Sequence, residues 1–167
     1  VLHACSDLWA SGAKLSSAQA IISLPKVDKD FQSYLFTHCL KGIKSTVEEQ
    51  GGKLIGGHTF ESRSLVDKPY PLGIDISLTV QGGLKSGAKP WLKSGMKKGD
   101  IILMSRPLGV GIFFAAQTQN IDFKDSYEEI MRNLVTSQQP LIDQIYLLQD
   151  KLGETLINAA TDITGYG

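Results

Sequence analysis

The chain contains 167 residues, 42% hydrophobic and 20% charged, which is typical of a folded globular protein and excludes a disordered one. Its 17 basic and 17 acidic residues balance, so no overall positive charge is present to attract nucleic acid. No apolar run approaches the ~20 residues of a membrane-spanning helix. Cys5 and Cys39 lack CxxC spacing and a disulfide-rich context. We therefore expect a cytoplasmic protein that binds neither nucleic acid nor membrane.

The first half of the chain is predicted to alternate between helices and strands. Apolar residues at helical spacing mark a helix from Asp28 to Gln50, which Gly51 and Gly52 end. Perfect alternation marks a strand from Ile74 to Val80, with its aliphatic residues on one face. The other predicted elements are the end of a helix over Val1–Ala10, a strand over Ala18–Leu24, and a strand over Lys53–Ile55 that runs into a turn at Gly56–Thr59.

The second half begins with a change of composition. Glycine and lysine replace periodic patterning between Gly82 and Gly99, so we predict a boundary between one domain of residues 1–98 and another of residues 99–167. Beyond it we expect a buried strand, an apolar helix that a glycine-containing loop begins, and a helical stretch that Pro140 kinks or divides. These predictions cover Ile101–Met104, Leu108–Phe114 and Ser126–Gln149. Strands alternating with long helices predict an α/β or α+β fold.

Two short acidic motifs lie near the two ends of the chain. Ser6–Ala13 and Thr161–Gly167 each place one aspartate, Asp7 or Asp162, among small residues and glycines. Such backbone can turn tightly and approach a ligand closely. Magnesium bound beside phosphates takes one or two protein carboxylates and completes its shell with water and phosphate oxygens. The pair therefore indicates a metal–nucleotide site assembled across the fold, and the alternative is that each aspartate only caps a helix or turn.

Two further motifs stand between the aspartates, Gly56-Gly57-His58-Thr59 and Arg106-Pro107-Leu108-Gly109-Val110-Gly111. The order of the four motifs resembles that of the selenophosphate synthetases (selenide, water dikinases), whose patterns are S-D-L/V-Y-A-M-G, G-G-H-T/S, T-K-P-L-G-x-G and T-D-V-T-G-F-G. Other members of the aminoimidazole ribonucleotide synthetase-like superfamily usually have an acidic or amide residue where His58 stands. Ser105-Arg106 in place of T-K, and Tyr166 in place of phenylalanine, depart from the family pattern.

The resemblance covers essentially the whole chain and implies a fold, a site and an assembly. The implied fold is a mixed sheet with helices on one face, in an N-terminal ATP-binding and dimerisation domain whose first strand is missing, followed by the start of a second α/β domain. The implied site has Mg²⁺ bound by Asp7 and Asp162, and ATP contacted by Asp7, Gly56, Gly57 and His58. The implied assembly is a homodimer in which the glycine pair and His58 reach the partner's site.

The resemblance also implies the reaction, in which ATP, selenide and water yield selenophosphate, AMP and phosphate. The family's catalytic cysteine or selenocysteine and its lysine belong to a segment that would precede Val1. We therefore expect this chain to be a fragment with no catalytic residues of its own, inactive by itself. Cys5 is expected to be a core residue, because closeness in sequence to His3 and Asp7 does not position a base in space.

Two alternative functions remain open at this point. One is another ATP-using member of the superfamily, such as a thiamine-monophosphate kinase or an aminoimidazole ribonucleotide synthetase. The other is a noncatalytic module that binds a nucleotide or a protein. His58 and the Thr161–Gly165 sequence favour selenophosphate synthesis over the first alternative.

Overall fold

The structure, a computed structural model, describes residues 1–62, 73–121 and 124–164. Within these ranges the chain forms three strands and five helices. The strands are β1 (Lys14–Leu24), β2 (Lys53–Glu61) and β3 (Asp75–Gly83), and the helices are α1 (Ser6–Ala10), α2 (Lys29–Glu49), α3 (Val110–Thr118), α4 (Lys124–Val135) and α5 (Gln139–Leu152). The predicted mixture of helices and strands is confirmed. Tyr166 and the two glycines that flank it lie outside the described residues.

The three strands form one mixed sheet in the order β2-β1-β3. Strand β1 runs parallel to β2 and antiparallel to β3. Along β1, Ala18, Ala20 and Ile22 are buried, whereas Gln19 and Ile21 between them are exposed. Because successive side chains of a strand point to opposite faces, one face of the sheet is covered and the other is open.

Helix α2 covers the buried face of the sheet and packs on β1 and β2. Asp28 caps its first turn, where the side-chain Oδ1 accepts a hydrogen bond from the backbone N–H of Asp30 at 2.9 Å. Ile43 and Val47 on its inner side are buried in the core. Gly51, with φ of +77°, follows the end of the helix in the left-handed conformation. The predicted extent of this helix is therefore confirmed.

Helix α5 packs into the same core, although it follows the predicted domain boundary. Its residues Ile142 and Tyr146 are buried in the cluster that β1 and α2 form. The Tyr146 hydroxyl donates a hydrogen bond to the carbonyl oxygen of Gly12 at 2.9 Å, and Lys14 forms an ion pair with Asp143. Residues from both sides of the boundary thus contribute to one core.

The apolar run Ile101–Met104 forms no strand, and its side chains are between 55% and 86% exposed. The prediction of a buried strand here is wrong. Apolar composition produces a buried strand only where another surface covers the segment, and the described residues leave this one uncovered. By contrast, α3 begins after Gly109 as predicted. Pro140 lies in the first turn of α5, so it begins a second helix rather than kinking one long helix.

The remaining differences concern the ends of elements. Helix α1 starts only at Ser6, β1 starts at Lys14 rather than Ala18, and β3 continues to Gly83. Among the described residues, no helix combines the length and apolar composition that crossing a bilayer requires.

Candidate functional site

The two acidic motifs meet in the structure. The Ser6 hydroxyl donates a hydrogen bond to Oδ2 of Asp162, 156 positions along the chain, at 3.3 Å. The Thr164 hydroxyl donates to the same oxygen at 3.0 Å. Asp7 directly follows Ser6, in the first turn of α1. One carboxylate is therefore hydrogen-bonded to the residue that precedes the other.

Buried contacts hold α1, which carries Asp7. Trp9 is 4% exposed, and its indole Nε1 donates to Oε1 of Gln139, the first residue of α5, at 2.9 Å. At the C-terminal end of α1, the carbonyl oxygen of Ser11 accepts from the backbone N–H of Trp91 at 3.0 Å. The Asp7 side chain remains exposed. The helix is thus fixed from the core side while its carboxylate faces outward.

Residues 158–164, which carry Asp162, lie against residues 91–100. The backbone N–H of Ala160 donates to the carbonyl oxygen of Leu92 at 2.9 Å, and Nδ2 of Asn158 donates to Oδ1 of Asp100 at 2.9 Å. Sequence reasoning assigned this lysine- and glycine-rich stretch to a domain boundary and missed its contacts. Its composition indicates a loop but does not indicate which surface the loop touches.

The donor chemistry at this corner fits Mg²⁺, a hard cation that prefers oxygen ligands. The Asp162 carboxylate and the hydroxyls of Ser6 and Thr164 come together there, and Asp7 directly follows Ser6. In the described ranges, no group of three or more His, Cys, Asp or Glu side chains could hold a metal ion. Two carboxylates are nevertheless what Mg²⁺ commonly takes when phosphates supply its other ligands.

A cavity of about 800 Å³ borders the first acidic motif. Asp7 and Thr164 line it together with residues of α2, among them His38, and with residues of β3. The cavity therefore lies on the same side of the sheet as α2.

The Gly56-Gly57-His58 motif lies inside β2, so the prediction of a turn at this motif is wrong. In the parallel register, these three residues pair with Gln19–Ile21 of β1. A Cβ atom on Gly57 would lie 1.9 Å from the carbonyl oxygen of Ala20. The glycine is required here because two strands approach closely, which is one of the recognised reasons for glycine within a strand.

His58 lies on the open face of the sheet, because its register partner Ile21 is 47% exposed. Its imidazole ring stacks on Phe60, with ring centroids 6.2 Å apart. The cavity beside Asp7 is on the α2 side. The structure therefore brings Asp162 to the Asp7 motif and leaves His58 on a different surface of the same chain.

Cys5 is fully buried and precedes α1. Burial raises the pKa of its thiol above the ordinary value. A raised pKa lowers the fraction of reactive thiolate. The position of Cys5 agrees with the expected core residue.

The loop before α3 is bound to the connection between α4 and α5. The Arg106 guanidinium donates to the carbonyl oxygen of Thr136, and the Ser105 hydroxyl donates to Oε1 of Gln138 at 2.7 Å. Burial lowers the pKa of Arg106. Ser105 and Arg106, which stand in place of T-K in the family pattern, therefore link the loop before α3 to the connection between α4 and α5.

Comparison with known proteins shows the family. Residues 1–84 match the sequence model of the AIR synthase related protein, N-terminal domain, which is half of the chain. The chain belongs to the AIR synthase related protein family. The matched region contains the first acidic motif and the Gly56-Gly57-His58 motif, and it ends within the predicted boundary stretch Gly82–Gly99.

Within this family, the chain is similar to curated selenide, water dikinases. It is 27% identical over 169 residues to the enzyme of Nitrosomonas eutropha and 30% identical over 165 residues to that of Rhizobium meliloti. Each alignment covers 99% of this chain and 42% of the relative. The chain therefore spans less than half the length of these relatives. The resemblance inferred from the four motifs is confirmed.

Solved structures of other proteins share the fold. A HypE–HypF complex matches with a TM-score of 0.65 at 21% identity, covering 89% of this chain and 45% of the matched chain. AaThiL complexed with AMPPCP and TMP matches with a TM-score of 0.59 at 19% identity, covering 84% of this chain and 42% of the other. At these identities the likeness shows the architecture alone, which is the predicted AIR synthase-like fold.

Proposed function

We propose that the protein containing this chain is a cytoplasmic selenide, water dikinase, which forms selenophosphate, AMP and phosphate from ATP, selenide and water. The observation that carries the proposal is the hydrogen bond from Ser6 to Asp162. It brings together two acidic motifs from opposite ends of the chain, as a Mg²⁺–nucleotide site requires. The curated relatives of that name align over 99% of this chain.

Asp7 and Asp162 are the proposed ligands of Mg²⁺ on the triphosphate. The ion, when bound, would offset the negative charge of the phosphate oxygens during phosphoryl transfer. Ser6 and Thr164 orient the Asp162 carboxylate through Oδ2. Within the described part of the chain, Oδ1 has no hydrogen-bond partner, and it is the oxygen proposed to bind the ion. The protein residues thus act by positioning charge, which is the larger part of catalysis in phosphoryl transfer.

Gly56, Gly57 and His58 are proposed to contact ATP across a dimer interface. The open face of the sheet carries His58 away from the Asp7 cavity, so within one chain the motif is not beside the two aspartates. This part of the proposal requires that a second protomer docked on that face bring its own acidic motifs within reach of this histidine. The proposal thus joins the two groups of site residues through a homodimer.

The test uses the complete natural protein that carries this sequence, incubated anaerobically with ATP, Mg²⁺ and selenide. Phosphorus NMR is expected to show selenophosphate, phosphate and AMP in equal amounts. A parallel reaction replaces selenide with thiamine monophosphate. ATP consumption that needs thiamine monophosphate, or no ATP consumption in either reaction, would reject the proposal.

A further inference from the structure

Residues 91–95, here called the bridging segment, connect the two acidic motifs. The backbone N–H of Trp91 donates to the carbonyl oxygen of Ser11, just after α1, and the carbonyl oxygen of the next residue, Leu92, accepts from the backbone N–H of Ala160. The Trp91 ring also stacks on Tyr146 of α5, with centroids 5.6 Å apart. The bridging segment is therefore attached to the core on one side and is hydrogen-bonded on the other side to the segment that contains Asp162.

Gly95 of the bridging segment lies against the backbone of Asn158. Its φ is +120°, and a Cβ atom built on it would lie 2.5 Å from the carbonyl oxygen of Asn158. That oxygen belongs to the backbone, so a side chain at position 95 could be accommodated only by moving the chain itself. Asn158 is also held by Asp100, through the 2.9 Å bond from its Nδ2.

We propose that Gly95 is a positioning residue for Asp162. Its missing side chain lets residues 158–162 lie close enough to the bridging segment for Ala160 to bond Leu92, and for Asp162 to reach Ser6. The inference rests on the proposed role of Asp162 as a Mg²⁺ ligand for its effect on activity, but its effect on geometry is independent of that role. Gly95 touches neither metal nor substrate and acts through Asp162.

Gly99 provides a matched control. It lies in the same loop with φ of +101°, so alanine is conformationally unfavourable at both positions. A Cβ atom on Gly99 would meet no heavy atom within 4 Å. The two substitutions therefore share the cost of a positive φ and differ in the contact with residues 158–162.

The geometric test is amide hydrogen exchange on the complete natural protein. Gly95→Ala is expected to speed exchange of the Ala160 amide by at least about tenfold relative to Gly99→Ala, because its bond to Leu92 is lost. Both variants should keep the same urea midpoint, since the core residues of the sheet, α2 and α5 are untouched. Equal Ala160 protection in the two variants would overturn the proposal, as would a Gly95→Ala protein that does not fold.

The functional test is a double-mutant comparison in the ATP-consumption assay. Gly95→Ala is expected to raise the Mg²⁺ concentration for half-maximal rate by about tenfold over Gly99→Ala, and to have no further effect when Asp162→Asn is already present. Independent, multiplying effects of the two substitutions would show that Gly95 does not act through Asp162. If the wild-type protein consumed no ATP with selenide, the proposed function would fail, and the exchange experiment would still decide the positioning role.

Discussion

Asp162 accepts hydrogen bonds from two hydroxyl groups through a single oxygen, Oδ2. Both donors belong to the acidic motifs themselves, since Ser6 precedes Asp7 and Thr164 follows Asp162 by two positions. The small and hydroxyl residues around each aspartate thus have a specific use beyond allowing tight turns. They join the motifs and fix the orientation of one carboxylate, as the proposed binding of one ligand by the exposed Asp7 and the partly buried Asp162 requires.

The first prediction concerns these two carboxylates. In the complete protein, Asp7→Asn or Asp162→Asn is expected to lower kcat/KM at least tenfold, about 1.4 kcal/mol of transition-state stabilisation, because each removes the charge of a proposed metal ligand. Added Mg²⁺ should restore part of the rate. Asp30→Asn, which changes an exposed carboxylate in the first turn of α2, serves as the control. Rates within twofold of the control for both site variants, with the fold intact by circular dichroism, would remove the proposed metal role.

The second prediction separates the two glycines of β2. Gly57→Ala is expected to destabilise the protein by ~1–3 kcal/mol or more, because its Cβ would lie 1.9 Å from the carbonyl oxygen of Ala20. Gly56→Ala meets no atom within 4 Å, and its φ of +158° gives it nearly the same backbone strain as Gly57→Ala, where φ is +155°. We therefore expect Gly56→Ala to cost less than Gly57→Ala, by the free energy of the clash with Ala20. Urea unfolding of both variants measures the difference, and equal midpoints would contradict the close approach of β1 and β2.

At the scale of elements, the docking of α5 on the N-terminal half depends on polar contacts as well as burial. Tyr146 is 7% exposed and donates to the carbonyl oxygen of Gly12. Trp9 donates to Gln139 in a second buried contact. These bonds lie on the inner side of α1, and the acidic motif lies at its outer side. Loss of α5 docking would therefore be expected to disturb the site.

The third prediction follows from the Tyr146 phenol. Burial raises its pKa above the ordinary value of about 10, despite the nearby charges of Lys14 and Lys85. A raised folded-state pKa means that the neutral phenol is favoured in the folded protein. Its contribution to stability is complete below pH ~10 and is lost as the pH rises through the folded-state pKa.

Urea unfolding of wild type and Tyr146→Phe between pH 8 and about pH 11 checks this prediction. At pH 8 the variant should be less stable by about 1 kcal/mol, because the hydrogen bond to Gly12 is missing. The difference should shrink or reverse at the upper end of the range. Tyr34→Phe, at a 57% exposed position of α2, should follow wild type throughout. A difference that stays constant with pH would show that the Tyr146 phenol does not titrate with unfolding.

Some elements could be predicted from the sequence because their determinants are local. Helix α2 has an N-cap at Asp28, apolar residues at helical spacing and a glycine at its end, and all three act within a few residues. Gly56–His58 form part of a strand because they pair with β1, close to the carbonyl oxygen of Ala20, which is distant in sequence. Glycine is compatible with both a turn and a closely packed strand, so the sequence alone does not distinguish the two. The exposure of Ile101–Met104 depends on what covers it, which periodicity does not encode.

The candidate site also has one part that the sequence predicts and another part that it does not. The motif order identified Asp7 and Asp162 as candidates, and the hydrogen bond through Ser6 brings their motifs together. The bridging segment was not identified, because its two backbone bonds have no side-chain signature. Gly95 acts through its lack of a side chain. The sequence does not distinguish it from the other glycines of that stretch, because the distinction depends on the position of Asn158.

At the scale of the whole molecule, the sheet has one open face with exposed apolar side chains. Ile21 is 47% exposed and Phe60 is 46% exposed, and His58 stacks on Phe60. Ser77 and Thr79 of β3 belong to this face, because they pair with Ile21 and Gln19. A face of this mixed character can be solvated, or it can pair with a second copy about a twofold axis in an isologous interface. The homodimer is the assembly that the proposed sharing of His58 requires.

The last prediction is that the complete protein is a dimer through this face. Obligate interfaces commonly bury ~2,000 Å² or more, so little monomer is expected at micromolar concentration. Phe60→Glu would place a charge in the centre of the interface and should shift the protein to monomer mass in sedimentation equilibrium. Phe31→Glu is the matched control, since Phe31 is 42% exposed but lies on α2, on the other side of the sheet. It should leave the dimer intact. A wild-type protein at monomer mass up to tens of micromolar, or a Phe60→Glu variant that remains as dimeric as the control, would show that the open face is not the interface and that His58 does not act across it.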